Sequence, residues 1–106
     1  MSNIKKHNKL IRDRIPEVLE RKGVKYKTHV AGSDEYKEKL IEKLKEEVDE
    51  FSEDRNEEEL ADVLEVVEAI IGGLGFSRQN VERLKEKKLI ERGGFNDRLI
   101  LEEASE

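Results

Sequence analysis

The chain has 106 residues, 35% of them hydrophobic and 44% charged, with a net charge of −5 and no cysteine. That length is one domain; lack of cysteine excludes disulfides and cysteine-ligated zinc, and the negative balance argues against nucleic acid as partner. No apolar run nears the roughly 20 residues of a membrane span, and the N-terminal MSNIKKHNK has no apolar stretch of signal-peptide type, so a cytoplasmic protein with no membrane partner is expected.

In chain order, Pro16 suits the first turn of a short helix running to about Lys22, with Gly23 as its stop. Residues 24–30 (VKYKTHV) alternate and are β-prone, which predicts one short strand. Ser33 is the expected N-cap of a helix to about Glu53, with Asp34 and Glu35 where the helix dipole favours acids. Asn56 caps the next helix, with Glu59 three residues on in a capping-box arrangement. That helix stops at Gly72-Gly73-Leu74-Gly75, and Ser77 caps a last helix ending before Gly93-Gly94. The tail RLILEE (98–103) reads as a second strand that pairs with 24–30. The fold class is therefore all-α, an antiparallel helical bundle with a short two-stranded β accessory. So thin an apolar complement predicts that subunits associate, as a homodimer or tetramer.

His7 and His29 are isolated and form no zinc constellation. The acids are more informative. Residues 42–68 hold 13 Asp or Glu against three Lys or Arg, so chance spacings abound and position on the helix matters more. With about 100° per residue, Leu40, Ile41, Leu44, Val48 and Phe51 form one apolar stripe. Glu47 falls about 60° from its centre, on its margin, and Glu50 just beyond. On the next helix Leu60, Val63, Val66, Val67, Ile70, Ile71 and Leu74 form the stripe; Glu59 falls inside it and Asp62 on its margin. Each helix thus places two carboxylates, three residues apart, at one edge of its buried face. Helices packed antiparallel through these stripes bring the edges together. Converging carboxylates repel strongly, and a hard divalent cation, magnesium or manganese, relieves the repulsion with all-oxygen ligands. The plainer alternative is a set of boundary residues, with Glu59 completing the capping box and Glu47 pairing with Lys43 one turn earlier.

A basic stretch follows, with Arg83, Lys85, Lys87, Lys88 and Arg92. Lys88 and Arg92 continue the inner face marked by Val81 and Leu84. They either snorkel past the core or reach phosphate oxygens beside the metal. Neither a Walker-type loop nor GxGxxG is present.

EEVDE (46–50) followed by EELADVLEVVEAI (58–70) resembles the ExxE…ExxD signature of the MazG-type all-α nucleoside triphosphate pyrophosphohydrolases. HNKLIRDRIPEVLERKG (7–23) and ERGGF (91–95) are similar to the small phosphoribosyl-ATP pyrophosphohydrolase-like subgroup. Eight residues, 51–58, separate the two acidic motifs, a short interval for the superfamily. The resemblance implies a helical oligomer in which Glu47, Glu50, Glu59 and Asp62 bind Mg2+ (or Mn2+) and carry catalysis, while Lys88 and Arg92 contact the substrate's phosphates. The implied reaction is hydrolysis of a nucleoside triphosphate to monophosphate and pyrophosphate, a house-cleaning activity. The alternatives are phosphoribosyl-ATP hydrolysis in histidine biosynthesis and a non-catalytic oligomeric helical module.

Overall fold

Pro16 fixes a helical φ near the start of the first element, and the computed structural model, which describes residues 4–105, builds α1 (Ile15–Arg21) around it. The Met1–Asn3 part of the N-terminal stretch read above lies outside the described residues. Gly23 ends α1 at φ 71°, a left-handed turn in which the amides of Gly23 and Val24 donate to the carbonyls of Glu20 and Leu19. Three longer helices follow: α2 (Ser33–Glu53), α3 (Glu57–Gly73) and α4 (Arg78–Arg92). The described residues are all-helical, and no helix is long and apolar enough to cross a membrane.

Two local expectations are corrected. Residues 24–30 and 98–103 form no strand. The alternation in VKYKTHV supplies side chains for a sheet but no partner ladder, and a lone two-stranded pair is marginal in water. Val30 is left 98% exposed, and Tyr26 instead donates its hydroxyl to Glu20. Ser33 is not the N-cap of α2. Gly32 takes the extended cap conformation, Ser33 becomes the first helical residue, and no side chain caps this end. The other two caps form as expected: Asn56 Oδ1 accepts from Glu59 N at 2.9 Å, and Ser77 Oγ from Asn80 N at 3.1 Å.

The chain divides into two compact units, Met1–Gly75 and Phe76–Glu106. In the first, α2 and α3 pack along each other as a helical hairpin joined by Asp54–Asn56. Its small core centres on Leu40 (1% exposed) and Val66 (8%). Gly73, at the end of α3, lies so close to the start of α2 that a Cβ there would stand 2.5 Å from Leu40 Cδ1 and 3.0 Å from Tyr36 Cε2. The hairpin buries itself towards Glu47 rather than towards the middle of the α2 stripe. Ile41 and Val48 remain exposed, as do Leu60, Leu64 and Val67 on α3. In the second unit, α4 ends at Gly93 (φ 80°), whose amide donates to Leu89 O, and the apolar side chains after it are exposed.

Candidate metal centre

Glu47 sits two turns after Leu40 on α2, and the same rotation that buries Leu40 carries Glu47 inward, to 7% exposure. Lys43, one turn earlier, places its Nζ 3.3 Å from Glu47 Oε1. The other oxygen, Oε2, is buried with no hydrogen-bond partner. Glu50 follows at the solvent margin of the same helix. Glu59 enters from the first turn of α3, where Asn56 holds its backbone amide. Its carboxylate does not complete a reciprocal capping box, because the Asn56 amide donates to Asp54 O at 2.8 Å and Glu59 Oε2 is covered and unpartnered. The Lys43 pairing is thus realised on one Glu47 oxygen and the cap only through the Asn56 side chain, and Glu47 and Glu59 each keep a covered carboxylate oxygen without a hydrogen-bond partner.

One oxygen from each of Glu47, Glu50 and Glu59 lies within 4.8 Å of the others. The electrostatic consequence is visible in two of them. Glu50 is pushed above the ordinary carboxylate range, chiefly by the adjacent Glu47 charge and then by burial. Glu59 is pushed up by burial first, then by the charges of Asp62 and Glu47. Burial and like charge both disfavour ionisation, and among the described residues no donor reaches either orphaned oxygen. Oxygens sharing one magnesium at about 2.1 Å are separated by about 3 to 4 Å. Three carboxylates already within 4.8 Å therefore need only a small contraction to share such an ion. The donor set is all oxygen and anionic, so these residues fit a hard divalent cation.

Asp62, the fourth expected ligand, stands one turn beyond Glu59 but outside this trio. Arg12 Nη2 donates to its Oδ1 at 2.8 Å. Lys88 and Arg92 lie exposed on α4, in the unit that does not carry the carboxylates, and make no ion pair among the described residues.

Lys9, Arg12 and Lys39 complete the charge arrangement and were not singled out by sequence patterning. Lys9 Nζ donates to Glu46 Oε1 at 2.7 Å, which raises the lysine and lowers the glutamate from their ordinary values. Lys39 Nζ donates to the Asn8 carbonyl at 2.7 Å. The available signal was compositional: the acid excess of residues 42–68 needs cations from elsewhere, and KLIRDR (9–14) is a basic cluster upstream of α2, as is RKGVKYK (21–27). No protein-family model, curated protein or solved structure matches the chain, so the chemistry of the centre rests on its own residues.

Proposed function

We propose that this protein is a magnesium-dependent nucleotide pyrophosphohydrolase of the MazG-like kind, cleaving nucleoside triphosphates to monophosphate and pyrophosphate. The observation that carries the reading is the buried Glu47 carboxylate, which keeps one oxygen without a partner and stands in a trio with Glu50 and Glu59 whose oxygens lie within 4.8 Å of one another. Three converging carboxylates with a single lysine, Lys43, paired to them are unfavourable unless the site is built for a further cation. A divalent cation bound there supplies Lewis acidity towards the phosphate oxygens and the attacking water. The chain's own groups do the rest. Glu47 and Glu59, fixed by burial and by the Asn56 cap, hold the ion's position. Glu50, the solvent-exposed member of the trio, orients the water and accepts its proton. Asp62 completes the anionic set, and the family resemblance implies Lys88 and Arg92 as donors to the polyphosphate.

The quaternary part of the proposal is a homodimer or tetramer. Ile41, Val48, Leu60, Leu64 and Val67 form an uncovered apolar face on the hairpin, and a second copy that covers it completes an antiparallel bundle.

The test is pyrophosphate release from a panel of ordinary and modified nucleoside triphosphates with Mg2+, for the wild type and Glu47→Gln. Release by the wild type, reduced at least about 100-fold in the variant, is expected. Release only from phosphoribosyl-ATP moves the assignment to histidine biosynthesis. No release from any nucleotide leaves a non-catalytic helical module.

A further inference from the structure

The N-terminal segment lies as a strap on the acidic hairpin. Within five residues it makes three polar anchors to α2 and α3: the Asn8 carbonyl to Lys39, Lys9 to Glu46, and Arg12 to Asp62. Asn8 adopts φ 48°, a left-handed turn that asparagine tolerates, and Leu10 and Ile11 are half-buried. The strap is therefore held by several contacts that do not involve Arg12.

The Arg12 anchor differs from the other two in its partner. Glu46, which Lys9 takes, also receives Lys43 and is not in the carboxylate trio. Asp62 follows Glu59 by one turn on the same helix, and its charge bears on Glu59, yet Arg12 holds its Oδ1. The pair is solvated, with the two side chains 57% and 40% exposed and one hydrogen bond between them. Such pairs exchange readily, and a divalent cation attracts a carboxylate more strongly than a guanidinium does.

We propose that Arg12 is a positioning residue that competes with the cation for Asp62: with Arg12 docked the centre offers three carboxylates, and with Arg12 displaced it offers four. This rests on reading the trio as a metal site. The strap then sets the affinity of the centre, keeping it weak until Arg12 is drawn away.

Direct titration of Mn2+ by calorimetry, without nucleotide, tests this on wild type, Arg12→Ala, Asp62→Asn and the double variant. Arg12→Ala is expected to bind Mn2+ about tenfold more tightly than wild type, and the gain is expected to vanish in the Asp62→Asn background. Lys9→Ala, whose charge is paired to Glu46 and also acts on Glu47 and Glu50, is expected to change affinity equally with and without Asp62, which separates a general charge effect from the specific Arg12–Asp62 competition. Arg12→Gln, which keeps the stem and a donor, carries the same expectation should alanine unsettle the strap, with thermal unfolding as the check on folding. No gain on removing Arg12, or an equal gain with and without Asp62, overturns the proposal while leaving the metal site standing. Failure of the wild type and every variant to bind Mn2+ at millimolar concentration removes the metal site and this proposal together.

Discussion

Glu59 is held in a conflict that its neighbours create. Its amide is satisfied by Asn56, its Oε2 is covered without a partner, and Glu47 and Asp62 both raise its affinity for a proton. Glu50 is raised by Glu47 in the same way. Groups with folded values above their ordinary 4.5 bind more protons folded than unfolded, so stability falls as pH rises through that window. Glu46 runs the other way: Lys9 lowers it, so its contribution is present above 4.5 and is lost as pH falls through the lowered value. The metal-free protein is therefore expected to lose thermal stability as pH rises from about 4.5 towards neutrality, and saturating Mg2+ is expected to abolish that slope. Glu59→Gln is expected to stabilise the metal-free protein at pH 7 and to remove the Mg2+-dependent rise in melting temperature. Melting curves against pH, with Mg2+ or chelator, check both. A slope unaffected by Mg2+ contradicts the assignment.

At the scale of the helix, the closest approach in the hairpin is at Gly73. Glycine inside a helix ordinarily weakens it by roughly 0.5–1 kcal/mol relative to alanine, so Gly→Ala there is normally stabilising. At Gly73 the added methyl meets Leu40, which is fully buried and cannot swing away, and the Tyr36 ring. Gly73→Ala is expected to destabilise by about 1–3 kcal/mol. The neighbouring Gly72 has nothing within 4 Å of its would-be Cβ, and Gly72→Ala is expected to stabilise by roughly 0.5–1 kcal/mol. Urea denaturation of the two variants separates them; two shifts of the same sign contradict the packing described. Helix ends of this kind were legible in the sequence where one residue type has one job, as at Pro16, Asn56, Ser77 and Gly93. Ser33 was misread because Gly32 can take the extended cap conformation equally well, and no side-chain hydrogen bond forms. The two strands were misread because alternation describes a face, whereas a strand also needs a partner for its backbone.

For the whole molecule, the exposed apolar residues say more than the buried ones. Leu64 is 58% exposed in the middle of α3, flanked by Leu60 and Val67 on the same side. Periodicity placed Glu47 on the margin of the α2 stripe, whereas the hairpin turns that margin inward and leaves Ile41 and Val48 exposed. It did not locate the Arg12–Asp62 pair, whose members are 50 residues apart and meet only once the hairpin has formed. Nor did it show which part of each broad stripe the hairpin covers, because an angular calculation fixes the face and not its occupant. If a second copy covers the remainder, Leu64→Glu is expected to shift the protein towards monomer in light scattering and to lower its melting temperature. An unchanged assembly mass would place the interface elsewhere.

The central claim is that the Glu47, Glu50 and Glu59 cluster supports α–β phosphoanhydride hydrolysis. Phosphorus NMR of a nucleoside triphosphate incubated with the protein and Mg2+ tests it most directly, with chelator and Glu47→Gln as controls. The account predicts paired appearance of nucleoside monophosphate and pyrophosphate, in the Mg2+-containing wild-type sample alone. A diphosphate with inorganic phosphate, or monophosphate and pyrophosphate from Glu47→Gln at the wild-type rate, would contradict it.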